Sequence, residues 1–429
     1  MSDPAIASRI DGFAAAVSHL QLPVVDSGAF VVDGLKPATV VCPKSLSQLQ
    51  ECLSEAHNQR LYVTTIGGGA HLHLGNVPDA FDVGVCTPGL DRIIDHEPAD
   101  MTVTVEAGVR FADLQSALGE HGQFLPLDPP GDDRATVGGI LAANVSGPLR
   151  HRYGTARDWL LGTRVVHADG TTSKSGGRVV KNVSGYDLHK LYVGSLGTLA
   201  VIAEVTFKLA PLPKVDRTVG VACPSPAAAQ SIISAAHERG LAVVAAELLS
   251  PPAANAVCDR GAWTALLRVA GGAAAAARTM DEIGDYAALA EGELTDEPAA
   301  WERWRGAFGP APLSLRASVA PSHAAALAET LDRRFAGDAG RITATSTAGL
   351  VRMNLSPADD VRASAIIDHA REIATQRGGF VVVDAAPLAV KKQIDVFGPP
   401  RSDIEIMRRL KQQFDPERRL SPGRFMGRI

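Results

Sequence analysis

With 429 residues the chain exceeds what one small core usually serves, so two lobes are expected. Hydrophobic residues at 46% and charged residues at 21% make an ordinary globular composition. A formal net charge of −5 leaves no basic excess to neutralise phosphates, which excludes a nucleic-acid partner but not a local basic pocket for a small anion.

The N-terminus, with no basic residues leading into an apolar core, predicts no signal peptide. No uncharged apolar run approaches the roughly 20 residues of a membrane span, so no direct membrane insertion is expected. Cys42, Cys52, Cys86, Cys223 and Cys258 contain no C-x-x-C pair, which excludes a zinc or iron–sulfur site built on such spacing. Their odd number predicts reduced, mostly buried thiols and a cytoplasmic setting.

A first lobe begins near Asp33. A short strand is expected over 39–42, ended by Pro43, followed by a helix with Ser45 at its N-cap and Gln48 three residues on. Leu46, Leu49, Leu53 and Ala56 recur at helical spacing and predict a buried face. A strand over 61–65 runs into Gly67-Gly68-Gly69, with further strands at 82–86 and 102–106. A helix over 110–121 should bury Phe111, Leu114 and Leu118 and end at Gly122. A second half-lobe runs from 124 to 212. It contains a hairpin across Asp169-Gly170 and an alternating, half-exposed strand over 199–209 with Ile202, Glu204, Thr206 and Lys208 on its outer face.

Beyond Pro213 the predicted order is strand 218–223, helix 227–239, strands 242–248 and 263–269 and helix 273–288. A similar run follows: strand 313–320, helix 322–335, strands 341–345 and 350–355, helix 358–377 and strand 380–384. Two such runs predict an antiparallel sheet with helices on one side, and 291–312 reads as an inserted segment joining them.

Consecutive glycines after a strand let backbone N–H groups approach a phosphate without Cβ obstruction. Taken alone, Gly67-Gly68-Gly69-Ala70-His71 fits a ligand-free turn equally well, and Pro78 rules out the long helix of a dinucleotide fingerprint. An ordered series follows it. Asp128-Pro129-Pro130 leads to Ala135-Thr136-Val137-Gly138-Gly139 and on to Asn144-Val145-Ser146-Gly147. Tyr153-Gly154-Thr155-Ala156-Arg157-Asp158, the stretch 176–187 and Gly197-Thr198-Leu199 complete it, with Asp415-Pro416 and Pro422-Gly423-Arg424 near the C-terminus.

This series resembles the PCMH-type FAD-binding domain of the vanillyl-alcohol oxidase superfamily, and within it the FAD-binding E subunits of glycolate oxidase. The resemblance implies an α+β fold: a two-part FAD-binding domain at 33–212, an α+β cap with an antiparallel sheet at 213–395, and a C-terminal segment, 396–429, returning to the FAD domain. It implies that Gly67, Gly68, Gly69, Ala70 and His71, with Thr136, Gly138, Gly139 and Asn144, give backbone donors to the FAD pyrophosphate. Asp128 and Pro129 would shape the turn beneath the cofactor, and Gly197, Thr198 and Ile202 would run along its adenine end. Tyr153, Gly154 and Asp158 belong to the same motif series. Gly138, Gly139 and Gly154 could individually serve packing or turns alone.

In family members that attach flavin covalently, a histidine directly follows the last loop glycine. Ala70 stands there, so noncovalent FAD is expected, with His71 and His73 as loop or pocket residues. The cap lacks the histidine cluster of many hydroxy-acid dehydrogenases of that superfamily. His369 is expected to face solvent, and Met353 and Phe425 to be core. Arg316 matches a strand arginine of the E-subunit pattern and suits either a substrate carboxylate or a surface or interface role. Trp301, Trp304 and Arg305 fit a pocket, a lid or plain packing.

The implied activity is that of an FAD subunit of a glycolate oxidase-like complex acting on a 2-hydroxy acid. The implied partners are a second flavoprotein and an iron–sulfur subunit, through which any membrane association would be made. A non-catalytic assembly or relay subunit and a stand-alone FAD-dependent dehydrogenase are the alternatives.

Overall fold

The computed structural model describes residues 4–23, 25–131, 133–177 and 186–429. The first helix of the lobe that begins near Asp33 forms where its cap chemistry says it should. Ser45 Oγ accepts from the Gln48 amide at 3.2 Å, while the Gln48 side chain reaches back to the Lys44 amide at 2.7 Å, one residue earlier than in the standard capping box. The helix, Leu46–Asn58, buries Leu49, Cys52, Leu53 and Ala56, and the N-terminal helix Pro4–Val17 lays Phe13 and Val17 on the same core.

Beside this core lies a three-stranded parallel sheet, in the order Thr39–Val41, Val83–Cys86, Val63–Ile66. An antiparallel sheet of five strands adjoins it, in the order Ile93–Glu97, Thr102–Glu106, Val201–Lys208, Leu160–Val166, Thr172–Gly176. Val201–Lys208 is its central strand. That position corrects the half-exposed reading of 199–209, since Ile202 and Thr206 on the outer face are buried at 6% and 7% exposure. The helix Phe111–Gly119 buries Leu114 and Leu118 but leaves Phe111 only half-buried.

The cap is a single antiparallel sheet of eight strands: Glu293–Asp296, Val215–Cys223, Trp263–Gly271, Val243–Leu249, Arg341–Thr345, Leu350–Leu355, Leu313–Ser318, Phe380–Ala385. Numbered within each run, the first four strands lie in the order 4-1-3-2 and the last four in the order 2-3-1-4. The cap is therefore two β-α-β-β-α-β units joined edge to edge through Val243–Leu249 and Arg341–Thr345.

The helices Pro226–Glu238, Ala273–Leu289, Pro321–Phe335 and Asp360–Thr375 pack on one face of the sheet. Two helices depart from the one-sided expectation. Pro251–Cys258 and Ala300–Ala307 cover Leu249 and Leu266, which alternate with Leu248 and Leu267 and so belong to the opposite face. The segment 291–312 is thus part of the cap, supplying the outer strand Glu293–Asp296 and the helix that carries Trp304.

The C-terminal helix Ile404–Phe414 leads the chain back to the parallel sheet of the first lobe. There the Val63 amide donates to Arg419 O and the Ser421 amide to Val63 O, each at 2.8 Å. Lys411, 3% exposed, ties this return with bonds to Thr198 O (2.7 Å), Leu420 O (3.0 Å) and the buried Asp415 carboxylate (2.6 Å). Among the described residues, no helix is long and apolar enough to cross a membrane.

Candidate functional site

The strand Val63–Ile66 delivers the chain into 67–69, where the glycines serve a closer purpose than leaving room for a ligand. A Cβ on Gly68 would lie 1.5 Å from Arg134 O, and one on Gly67 would lie 2.4 Å from Thr136 Oγ1. The space at Gly68 is therefore taken by the chain itself, and the loop is pressed against 134–136. Gly138 makes a second close approach, its amide donating to Ala107 O at 2.7 Å where a Cβ would meet the Ala107 Cβ at the same distance. Of the three loop glycines, Gly69 alone combines a left-handed φ, +81°, with open surroundings.

These approaches shape a cleft lined by Gly67, Gly68, Gly69, Ala70, His71, Thr136, Gly138, Gly139, Gly197 and Ile202. The structure adds Thr64, Thr65, Thr87, Leu196 and Arg424 to this lining, none of them assigned a site role from the sequence. Thr64 Oγ1, Thr65 Oγ1 and Arg424 Nη1 are buried without a hydrogen-bond partner, a set that a bound polar group would satisfy. Arg424 is 4% exposed. Its Nη2 donates to Leu72 O at 2.9 Å and also to Leu74 O, and burial pushes its pKa down to about 10. The Pro422-Gly423-Arg424 motif was the available signal for it.

A second cleft shares Ala70 and His71 with the first and continues to His73, Phe308, Arg316, Arg352, Asn354 and Asp384. Arg316 and Arg352 are register partners on adjacent strands, so two guanidinium groups stand side by side. Arg316 Nη2 meets Asp384 Oδ1 at 3.1 Å and Arg352 Nη2 donates to Ser146 O at 2.5 Å, while the Nε of each is buried and unpartnered. Burial, then the Arg316 charge, pushes Arg352 down to about 10, and the same two causes lower nearby Arg150. Burial also lowers His73 below the usual imidazole range, which keeps its ring neutral at neutral pH.

Other sequence candidates fall elsewhere. Asp128 and Pro129 line a separate cleft with Trp301, Trp304 and Arg305. Asp128 accepts from the Gly147 and Leu149 amides at 3.1 and 2.9 Å, and burial pushes its carboxyl up to about 7. Trp304 is fully buried against Phe308, and Trp301 Nε1 donates to Thr218 Oγ1 at 3.0 Å. Asn144 ends the helix Val137–Ala143 with a left-handed φ of 49°.

Gly154, at φ +75°, lies between Tyr153, which packs on Phe124 and Trp159, and a turn capped by Asp158 through the Thr155 amide at 2.8 Å. Thr198 donates to Ser195 O at 2.7 Å and is 1% exposed. Met353 is core, and Phe425 is half-buried on Phe397. His369 is half-buried rather than solvent-facing, with Nδ1 2.6 Å from Ala365 O and Nε2 3.1 Å from the Arg334 guanidinium. Of the distinctive stretch 176–187, residues 178–185 lie outside the described residues.

Residues 37–176 match the FAD binding domain family, and residues 400–425 match the C-terminal domain of FAD linked oxidases. The chain is 40% identical to glycolate oxidase subunit GlcE of Escherichia coli over 123 residues, covering 28% of this chain and 35% of that protein. It is 32% identical to glycolate oxidase subunit GlcD of Bacillus subtilis over 183 residues (43% and 39%). With the cytochrome-type D-lactate dehydrogenase of Arabidopsis thaliana it shares 33% over 214 residues (50% and 37%). The matches thus span less than half the length of each of these relatives.

Among solved structures, p-cresol methylhydroxylase superposes with a TM-score of 0.76 at 16% identity, covering 99% of this chain and 97% of that one. Alkyldihydroxyacetonephosphate synthase superposes at 0.71 with 17% identity, covering 90% and 77%. A cradle of close-packed glycines with unpartnered hydroxyls and a guanidinium fits the phosphates of FAD. The chain has the α+β fold of the vanillyl-alcohol oxidase, PCMH-type flavoenzymes with a large antiparallel cap sheet, and it is a distant homologue of glycolate oxidase subunits and D-lactate dehydrogenases.

Proposed function

We infer that the chain is the FAD-binding subunit of a glycolate oxidase-like complex that oxidises a 2-hydroxy acid and passes electrons to partner subunits. In this reading 33–212 hold the cofactor, 213–395 form the cap and 396–429 close the cradle. The observation that carries it is the junction at Ala70 and His71, where a phosphate-type cleft opens into one bearing two adjacent arginines. Gly67, Gly68, Gly69, His71, Thr136, Gly138, Gly139 and Arg424 would hold the pyrophosphate, and Gly197 and Ile202 the adenine end. Asp128, Pro129, Asn144, Tyr153, Gly154, Asp158 and Thr198 would brace the walls. FAD supplies two-electron redox chemistry when bound. Ala70, without a nucleophile, leaves the attachment noncovalent.

Arg316 and Arg352 repel one another, and a substrate carboxylate between them would relieve that repulsion while satisfying their buried Nε donors. His73, neutral and in the same cleft, can take up the hydroxyl proton. Five free cysteines without iron–sulfur spacing in the sequence, together with the similarity to glycolate oxidase subunits, support a second flavoprotein and an iron–sulfur subunit as the partners. The test is glycolate- and D-lactate-dependent dye reduction by the chain alone and after mixing with its co-purifying proteins. Turnover that rises on mixing supports a subunit. Full turnover by the isolated chain, unchanged by any partner, overturns it.

A further inference from the structure

Two of the five cysteines meet beneath the glycine loop. Parallel pairing sets Val41 opposite Val85, and one residue further along each strand brings Cys42 beside Cys86. Neighbouring strands lie about 4.8 Å apart, inside the roughly 4.4–6.8 Å between Cα atoms that a disulfide spans. Both side chains join the same apolar cluster with Val40, Ile66 and Phe81, close enough for each thiol to shift the other's pKa. Cys86 is also the register partner of Ile66, which leads into Gly67, and it precedes Thr87, which lines the first cleft.

The two thiols are unequal. Cys42 is half-buried and reachable from solvent, whereas Cys86 is 2% exposed. The contact from Cys86 holds Cys42 below the ordinary thiol range against the opposing effect of burial, and the same contact together with burial pushes Cys86 up. Cys52, Cys223 and Cys258 are buried, and burial pushes them up to about 12, 11 and 12. Ease of thiolate formation combined with access decides which cysteine reacts, and of the five only Cys42 pairs a lowered pKa with partial exposure.

We propose that Cys42 and Cys86 are a peroxide-oxidisable dithiol that closes to a disulfide beneath the cofactor cleft. The Cys42 thiolate attacks one peroxide oxygen and the O–O bond breaks. One water leaves, and Cys42 becomes a sulfenic acid. The Cys86 sulfur then displaces the sulfenic oxygen, the S–S bond forms, and that oxygen departs as a second water carrying the Cys86 proton. Two thiols are oxidised and one hydrogen peroxide is reduced. Because the oxidant can be supplied from outside, the proposal stands or falls independently of the cofactor and substrate readings.

The test is to add one equivalent of hydrogen peroxide to the whole protein and titrate thiols after denaturation. The titre should fall from five to three, dithiothreitol should restore it, and peptide mapping should find Cys42 joined to Cys86. Cys86→Ser should stop at a dimedone-trappable sulfenic acid on Cys42, and Cys42→Ser should remove the fast reaction. Mapping of the unsubstituted protein decides the matter even where a variant fails to fold. Prior oxidation of Cys52, Cys223 or Cys258, a Cys42 sulfinate with Cys86 still free, or no loss of thiol would each overturn the proposal.

Discussion

Replacing Gly68 with alanine adds one methyl group where Arg134 O already lies 1.5 Å away. Carbon–oxygen contact at ordinary van der Waals separation requires the loop or 134–136 to retreat by about 2 Å. The obstacle is backbone, so no side-chain rotation relieves it, and overpacking of this kind costs about 1–3 kcal/mol. Both displaced segments line the cleft, through Gly67, Gly69, Ala135 and Thr136. A cost of about 2 kcal/mol expressed there corresponds to about 30-fold weaker cofactor binding. The assay is FAD titration of the apoprotein by flavin fluorescence, with Gly119→Ala as the control. Gly119 is exposed with nothing within 4 Å of its added Cβ, so that variant should bind as the parent does. Parental affinity and stability in Gly68→Ala would refute the packing argument.

Lys411→Met leaves Asp415 buried without its cation and two carbonyls without their donor, and should cost about 3–5 kcal/mol in denaturant unfolding. A loss below about 1 kcal/mol would mean that the return of the C-terminal tail does not depend on this hub. Arg316→Met should raise KM for the hydroxy acid about 10- to 100-fold while FAD stays bound, as expected for one lost charge-assisted hydrogen bond.

Glu247, fully buried between Thr343 and Thr345, is pushed up to about 7 by burial, above its unfolded value of about 4.3. A group raised on folding lends stability below its unfolded pKa and loses it as pH rises through the folded one. Glu247→Gln should therefore gain stability relative to the parent between pH ~5 and ~8, read from unfolding midpoints at both ends. A pH-independent difference would contradict the burial argument.

The helix Leu46–Asn58 and the strands Arg341–Thr345 and Leu350–Leu355 were legible because local chemistry bounds them: the Ser45 cap for the first, and for the strands a turn at Gly349 in the left-handed region. Ile93–Glu97 was not, because it is an outer strand with two exposed isoleucines and no alternation. Pro251–Cys258 was hidden by Pro251 and Pro252, although proline is well tolerated in the first helical turn. For 199–209 the alternation was real, but neighbouring strands on both sides and packing on both faces overrode it.

In the site, the glycine loop announced itself by composition. What it packs against, Arg134 O, is visible only in three dimensions. Arg352 escaped notice because its importance comes from a cross-strand neighbour, Arg316, and Arg424 was seen only as part of a motif because it reaches the cleft from more than 350 residues further along the chain.

The central claim, that one cleft holds FAD and its continuation presents a carboxylate-binding arginine pair, is tested most directly by purifying the chain and recording its flavin spectrum before and after anaerobic addition of a 2-hydroxy acid. The account predicts a yellow protein with one acid-releasable FAD per chain whose visible band bleaches with glycolate or D-lactate and resists bleaching in Arg316→Met at the same concentration. A colourless chain that takes up no FAD, or flavin that stays with the acid-denatured pellet, would contradict the cofactor half. A yellow chain that no 2-hydroxy acid bleaches, alone or with its partners, would contradict the arginine pair as the substrate site.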